Sequence, residues 1–188
     1  AHSMGGGIGT VFLEKYPQYF NGAILSSPMH QINTGNTPAF IADMLSRIWV
    51  YFGKGNEYMP GQKSYNGQRR FPSRSTNCEE RYNYQYDKIL KNKSFQTGGA
   101  SAKWYFEASK ATRYIRNKKN ISKVKIPVIL LQAECDTHVI ADAHYKFAKY
   151  ADNCEVIIVA NGKHETYFEV DEITIQVIYK IMNFIESI

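Results

Sequence analysis

The stretch Ala-His-Ser-Met-Gly-Gly, residues 1–6, constrains the fold more than any other part of the sequence. It fits the pattern small-x-Ser-x-Gly, in which a strand turns sharply into a helix and the serine sits at the apex in a strained conformation. Residues 7–16 are small and apolar and predict a helix that ends before Pro17. The same residues also fit a serine in a glycine-rich turn or a phosphate-cradling loop, so the motif alone does not show that Ser3 is catalytic.

Three further runs predict strands because they are short and continuously apolar, which is typical of strands buried on both faces of a parallel sheet. They cover residues 22–27, 127–133 and 155–160. Helical periodicity follows at residues 141–151 and 172–188. Alternating strands and helices predict an α/β architecture with a mostly parallel sheet.

Between residues 29 and 126 the strand signals disappear and the charge changes. This stretch holds 18 Lys and Arg against 6 Asp and Glu, a net charge of +12, and the other residues hold 5 against 11, a net charge of −6. It also contains 15 of the 26 aromatic residues. Helices are predicted at 41–52 and 100–115, with a long loop at 57–76. The predicted division is a core segment 1–28, a basic helical cap 29–126 and a second core segment 127–188.

The composition excludes several classes of protein. A chain of 188 residues that is 44% hydrophobic and 14% aromatic has enough apolar material for a globular core. No apolar run approaches the roughly 18–20 residues of a membrane-spanning helix. Three cysteines are too few for a disulfide framework, which favours a reducing, cytoplasmic compartment. No His/Cys/Asp/Glu spacing suits a metal, so neither a metal nor a cofactor is expected.

Two polar residues follow predicted strands and complete a chemical pattern with Ser3. Asp136 lies in the loop that leaves the strand 127–133, and His164 follows the next strand after a glycine turn. The carboxyl ends of parallel strands are where α/β sheets place their sites. The order Ser, Asp, His is the one that an elbow-type nucleophile requires. The backbone N–H of Met4, at a helix N-terminus, is a predicted oxyanion donor.

Other titratable residues compete for these roles. Glu134 and Asp142 are the alternatives to Asp136. His30 follows the first predicted strand near the expected pocket mouth. The remaining expectations are a helix start for Asp142, packing or hydrogen bonding for His2, surface or helix positions for His138 and His144, and a small buried side chain for Cys135. Glu165 is expected in solvent, with an electrostatic contact to the site as the alternative.

Taken together, these residues resemble the α/β-hydrolase superfamily, and within it the lysophospholipase L2 and monoacylglycerol lipase group, often placed with the serine aminopeptidases. Residues 1–6 and 13–17 are similar to the family's elbow and helix, 129–136 to its acid-bearing strand and loop, and 162–169 to its histidine loop. Residues 98–101, Trp104 and Arg81-Tyr82 are similar to the cap of bacterial lysophospholipase L2.

The resemblance implies a carboxylic ester hydrolase that works through an acyl-enzyme. Ser3 is then the nucleophile, Asp136 the orienting acid, His164 the general base and the Met4 N–H one oxyanion donor. The resemblance also implies that the sequence is the C-terminal portion of a longer domain. Its partner is then the N-terminal half, which supplies the second oxyanion donor, and the 188 residues by themselves are expected to be insoluble or inactive.

The basic, aromatic cap suggests the substrate class. Aromatic side chains suit an acyl groove, and the positive charge suits an anionic headgroup or an anionic membrane surface at the inner face of a membrane. The first hypothesis is therefore hydrolysis of a lysophospholipid, a monoacylglycerol or another small ester. The alternatives are an aminopeptidase-type α/β-hydrolase and a non-catalytic binding protein with this fold. Nucleic-acid binding is not expected because no recognised motif accompanies the basic residues.

Overall fold

The computed structural model describes residues 1–188 and shows a parallel three-stranded sheet flanked by helices. The strands lie side by side in the order β1-β2-β3. Short 3-10 turns occupy Pro17–Tyr19, Lys93–Phe95 and Thr166–Phe168. The elements, in chain order, are α1 Ser3–Lys15, β1 Ala23–Ser26, α2 Ala39–Tyr51, α3 Glu79–Lys91, α4 Ala102–Ile115, α5 Lys118–Ile121, β2 Val128–Ala133, α6 Ala141–Tyr150, β3 Cys154–Val159 and α7 Asp171–Glu186.

The central strand β2 is buried along its whole length, as its continuous apolar sequence predicts. Val128 and Leu130 face one side of the sheet, where they pack with Leu13 of α1 and Phe147 of α6. The alternate residues, including Ile129 and Leu131, face the other side and pack against α7 through Val177. Each such side chain contributes roughly 1.5–3 kcal/mol when fully buried, so β2 is the main anchor of the fold.

Residues 1 and 2 continue the sheet beyond β1. The backbone N–H of Ser26 donates to the carbonyl oxygen of Ala1 at 2.9 Å, and His2 forms a parallel bridge with Ser26. The residues before the serine therefore arrive as extended chain, and the residues after it leave as α1. This is the strand-to-helix turn that the opening motif predicts.

The α/β prediction is confirmed, with differences at the element level. The three strands occur within one residue of their predicted bounds, but α1 starts at Ser3 rather than at residue 7. Helix α3 falls in the cap and was not expected, because its sequence is strongly polar and only Tyr86 of its residues is buried. Its sequence does carry a stripe at helical spacing, Tyr82, Tyr86 and Ile89, which is the signal that could have identified it.

The cap packs partly on itself and partly on the sheet. Helices α2 and α4 meet around a small cluster that includes Ala42, Met59 and Tyr105. Two later residues of the predicted cap, Ile121 and Val124, belong instead to the core cluster around Phe147. The division at residues 29 and 126 stays a prediction. None of the helices combines the length and the apolar character needed to cross a membrane.

One buried carboxyl group makes the stability of the fold depend on pH. Glu14 of α1 is fully buried, and neither carboxyl oxygen has a hydrogen-bond partner. Burial raises the pKa of Glu14 from its ordinary 4.5 to about 8, against the opposing charge of Lys123. Between these two values the folded state holds a proton that the unfolded state has lost, so stability falls as the pH rises from about 5 to 8.

Glu14→Gln is therefore expected to remove this loss. The variant should be more stable than the wild type by roughly 5 kcal/mol at pH 9, with a much smaller difference at pH 4.5. Urea unfolding of both proteins across this range measures the effect. Glu155→Gln, at an exposed position on β3, is the matched control and should follow the wild type. Parallel pH profiles for wild type and Glu14→Gln would contradict the prediction.

Candidate active site

The elbow holds Ser3 in a conformation that few L residues adopt. His2 is extended, with φ −128° and ψ 144°, whereas Ser3 has a φ of +50°, in the left-handed region. A Cβ on Gly6 would lie 2.8 Å from the Cβ of Pro28, so only glycine allows α1 to pass this close to the chain after β1. The strain and the close approach place the Ser3 hydroxyl at the carboxyl end of the sheet, in front of α1.

The structure brings Ser3, His164 and Asp136 into one hydrogen-bonded line. The Oγ of Ser3 lies 2.7 Å from Nε2 of His164, and Nδ1 of His164 lies 2.7 Å from Oδ2 of Asp136. The other carboxylate oxygen of Asp136 accepts from the backbone N–H groups of His138 at 2.7 Å and Val139 at 3.2 Å. The side chains of His164 and Asp136 are 6% and 7% exposed, so this pair is almost completely shielded from solvent.

Asp136 is held as a carboxylate. Burial works against its ionisation, but the hydrogen bond from His164 and those from the backbone N–H groups of His138 and Val139 outweigh burial and keep the pKa below its ordinary 3.8. A carboxylate can only accept hydrogen bonds, so Nδ1 of His164 carries the proton. Nε2 is then free to accept the proton of the Ser3 hydroxyl, which is the arrangement of a serine nucleophile with its base.

His2 and Glu165 form a polar pair beside the His164 ring. The ring of His2 lies 4.9 Å from that of His164, its Nδ1–H donates to the carbonyl oxygen of Ser26 at 3.1 Å, and its Nε2 lies 3.3 Å from Glu165. Burial works against the charge of Glu165, but its contacts with His2 and Tyr167 hold its pKa below the ordinary value. His2 has the hydrogen-bonding role expected of it. The expectation of a solvated Glu165 is wrong, because the side chain contacts His2.

The competing acids have other partners. An oxygen of Glu134 accepts from the backbone N–H of Asn161 at 2.7 Å and so ties the end of β2 to the histidine loop. Asp142 lies in the first turn of α6, as expected. The structure therefore places Asp136 against His164 and the other two carboxyl groups elsewhere.

The remaining candidate histidines and Cys135 fall in three places. His30 and His144 are buried behind the site, where their Nε2 atoms lie 2.9 Å from the Thr10 hydroxyl and 2.8 Å from the Pro28 carbonyl oxygen. The expected place of His30 at the pocket mouth is therefore wrong. His138 is exposed, as expected, but its ring also lies 4.7 Å from that of His164. Cys135 is exposed rather than buried.

Sequence reasoning missed the contact that fastens the cap to the histidine loop. Glu169 is fully buried, and its carboxylate accepts from the backbone N–H groups of Asn77 and Lys163, each at 2.9 Å. The N–H of Glu165 donates to the carbonyl oxygen of Ser75 at 2.8 Å. Nζ of Lys163 donates to the carbonyl oxygen of Ser73 at 2.7 Å, so the cap segment around residues 73–81 holds both neighbours of His164. The residues in these contacts lie about 90 positions apart in the chain. A local sequence pattern cannot predict a contact over that separation.

Ser3 and His164 open onto a cavity of about 590 Å³ between the core and the cap. About half of the lining residues are apolar, and Arg74, which donates to the Thr137 carbonyl oxygen at 3.0 Å, is the one Lys or Arg among them. Most of the cap's positive charge therefore lies away from this cavity. Met4 lies beside Ser3, and its N–H belongs to the first turn of α1, where N–H groups lack intrahelical partners. The apolar lining residues include Met29, Ile32, Ala42, Leu45, Met59, Trp104, Tyr105 and Val139.

A parallel sheet that carries Ser3 at the elbow, with Asp136 and His164 in loops after two strands, defines an α/β-hydrolase. The chain belongs to the family described as serine aminopeptidase, S33, whose profile matches residues 1–171. It is 28% identical over 185 residues to a probable lysophospholipase L2 of Haemophilus influenzae and 29% identical over 185 residues to a monoglyceride lipase homolog of Monkeypox virus. Each alignment covers 98% of this chain, and the chain spans 58% and 60% of those relatives.

Solved structures of two lipases have a fold similar to that of this chain. A monoglyceride lipase from Saccharomyces cerevisiae, solved with a substrate analog, superposes with a TM-score of 0.73 at 18% identity. A monoacylglycerol lipase from Paleococcus ferrophilus superposes with a TM-score of 0.66 at 16% identity. The matches cover 99% and 97% of this chain and 63% and 66% of those proteins. At this identity the likeness establishes the fold.

Proposed function

We propose that this protein is a serine hydrolase that cleaves the carboxylic ester of a lysophospholipid or a monoacylglycerol. The observation that carries the proposal is the hydrogen-bonded line Ser3–His164–Asp136, which opens onto a cavity of about 590 Å³ that is lined in about equal parts by apolar and polar residues. A cavity of this size and character suits an acyl chain. Two curated relatives that align with nearly the whole chain are a probable lysophospholipase and a monoglyceride lipase homolog, which agrees with an ester of this kind.

The proposed reaction follows from the geometry. As the Ser3 Oγ attacks the ester carbonyl carbon, His164 Nε2 takes the hydroxyl proton, and the Asp136 carboxylate stabilises the imidazolium that forms. His164 then returns the proton to the leaving alcohol, which gives an acyl-enzyme on Ser3. Water, deprotonated by the same histidine, hydrolyses this ester and releases the fatty acid.

The Met4 N–H is the proposed donor to the oxyanion on this chain. It lies at the N-terminus of α1, where the helix dipole favours negative charge. One such donor typically contributes a factor of about 10²–10³ in rate. In α/β-hydrolases a second donor comes from a loop that precedes the elbow in the chain, and we assign that role to the N-terminal half of the hydrolase domain.

The outer face of α2 supports contact with a lipid surface. Its inner face lines the cavity through Ala42 and Leu45, while apolar side chains on its other face are exposed, with Phe40 at 73% and Tyr51 at 84%. Arg47 lies on the same helix. Arg47 is paired with Asp43 of the same helix, so the exposed apolar stripe itself is what suits contact with a lipid surface. The three free cysteines agree with a reducing compartment, so we propose a cytoplasmic enzyme that acts at the inner membrane face.

A peptidase that releases N-terminal residues is the second candidate, favoured by the name of the family. Such an enzyme needs acidic groups near the scissile bond to bind the substrate's ammonium group. The lining of the cavity contains no Asp or Glu. The geometry therefore favours the ester over the peptide.

A fluorophosphonate probe on the full-length protein tests the proposal. We expect rapid covalent labelling, with mass spectrometry locating the adduct on Ser3, because only an activated serine reacts quickly with such a probe. Lysophosphatidylcholine, monoacylglycerol and aminoacyl p-nitroanilide substrates then separate the chemistries, and the lipid esters should be turned over faster. Absence of labelling, or an adduct on another residue, argues against a serine hydrolase. Preferred turnover of the aminoacyl substrate supports the peptidase.

A further inference from the structure

A second cavity, of about 330 Å³, lies in the cap next to the first. Ile32 and Tyr105 line both cavities, so the two share a wall. The second cavity differs in its charge: Asp43, Arg113 and Arg116 line it, whereas Arg74 is the one Lys, Arg, Asp or Glu that lines the first. Its polar lining residues are Gln31, Asp43, Ser109, Thr112, Arg113 and Arg116.

Arg116 brings a positive charge to this cavity that no carboxylate neutralises. It is half-buried at the end of α4, and it has no Asp or Glu within salt-bridge distance. Its Nε donates to the carbonyl oxygen of Thr112 at 3.0 Å, and its Nη1 donates to Oε1 of Gln31. Its Nη2 donates to no group in the protein. A guanidinium with free N–H groups that faces a cavity is suited to bind an anion.

The only carboxylate of the cavity is already shared by other cations. Asp43 accepts from Arg113 at 2.9 Å, from Arg47 at 3.2 Å and from the Ser109 hydroxyl at 2.7 Å. Arg113 also lies close enough to Arg116 that its charge, after burial as the larger cause, lowers the pKa of Arg116. Arg113 and Arg116 thus face the cavity, and its one carboxylate, Asp43, already has its hydrogen-bond partners. A bound anion would relieve the repulsion between the two guanidinium groups.

We propose that this cavity is a phosphate-binding subsite, with Arg116 as its main ligand and Arg113 beside it. Planar guanidinium groups bind phosphate oxygens through paired hydrogen bonds, which gives both affinity and orientation. The proposal rests on the proposed function in one respect: the phosphate of a lysophospholipid would lie here while its acyl chain occupies the adjoining cavity at Ser3. Free inorganic phosphate has the same chemistry and is the other source.

The test compares two substrates that differ only in the phosphate group. Lysophosphatidic acid and monoacylglycerol with the same acyl chain are assayed with the full-length wild type, with Arg116→Gln and with Arg116→Lys. For Arg116→Gln we expect the KM for lysophosphatidic acid to rise about 10- to 100-fold, while the kinetics on monoacylglycerol stay within about twofold. Arg116→Lys should fall between, because it keeps the charge and loses the fork.

The control is Arg70→Gln, which removes the same charge from an exposed part of the cap that lines neither cavity. It should match the wild type on both substrates. Fluorophosphonate labelling at the wild-type rate shows that each variant is folded. Calorimetric titration with inorganic phosphate is run in parallel, since it needs no turnover and stays informative if neither lipid is hydrolysed and the proposed function fails.

The outcomes separate the two sources of phosphate. A selective rise in KM for lysophosphatidic acid supports the subsite with a lipid headgroup as ligand. Phosphate binding that is lost in Arg116→Gln, without a selective change in KM, supports it with free phosphate as ligand. Equal effects of Arg116→Gln on both lipids, together with no phosphate binding to the wild type, overturn the proposal.

Discussion

Ser3→Ala is expected to lower kcat for ester hydrolysis by a factor on the order of 10⁵–10⁶ and to abolish fluorophosphonate labelling. A factor of this size is lost when the nucleophile of a serine-protease triad is removed, because the residual rate comes from binding and oxyanion stabilisation alone. The Oγ of Ser3 lies 2.7 Å from His164 Nε2, so no other hydroxyl stands in for it. Single-turnover kinetics with a chromogenic ester measure the loss.

A companion variant separates chemistry from folding. Ser3 has a positive φ of 50°, which costs an L residue roughly 1–2 kcal/mol and costs glycine almost nothing. Ser3→Gly is therefore expected to be as inactive as Ser3→Ala but about 1 kcal/mol more stable in urea unfolding. Retained labelling in Ser3→Ala would rule out Ser3 as the nucleophile. A loss of stability in Ser3→Gly would contradict the strain at the elbow.

Asp136→Asn is expected to lower kcat/KM by about 10⁴, close to the loss for the equivalent change in a serine protease. The reason lies in the partners of the side chain. The N–H groups of His138 and Val139 donate to one oxygen of Asp136 and will keep the amide oxygen of asparagine on their side. The amide NH₂ then faces His164 and donates to Nδ1. The imidazole proton must move to Nε2, which can no longer accept the proton of Ser3.

The measurement is kcat/KM as a function of pH, with the protein's fold checked by circular dichroism. Asp142→Asn is the matched control, because it removes a carboxylate six residues away that is exposed in the first turn of α6. It should retain wild-type activity. A loss of less than tenfold in Asp136→Asn, with the fold intact, would show that Asp136 does not set the tautomer of His164.

Local sequence predicted the framework of this site well, because the constraints there are local. A small residue, a serine and two glycines are what a strand-to-helix turn needs, and the structure shows Gly6 in a contact that admits no side chain. A continuously apolar strand needs cover on both faces, which β2 has. The carboxyl ends of parallel strands share an edge, so Asp136 and His164 were expected to meet, and the structure places them 2.7 Å apart.

Other features depend on contacts between distant parts of the chain. Glu165, expected in solvent, is paired with His2, and Glu169 binds backbone N–H groups of Asn77 and Lys163. His30, expected at the pocket mouth, is buried against Thr10. The pattern around each of these residues is compatible with exposure or with burial. Which one occurs depends on the partner that the fold brings to it.

The amino-acid order therefore determined the α/β class and the elbow at Ser3, and it predicted which three side chains would face one another, because hydrophobic period and steric demand act over a few residues. The tertiary structure alone decided how the cap is fastened to the histidine loop and where its charge lies. The basic residues give the cap a net charge of +12, yet Arg74 is the only Lys or Arg that lines the main cavity, and Arg113 and Arg116 line the second one. The net charge counts every charged residue wherever it lies, whereas an anion in a cavity interacts mainly with a nearby charge that no carboxylate neutralises, such as that of Arg116.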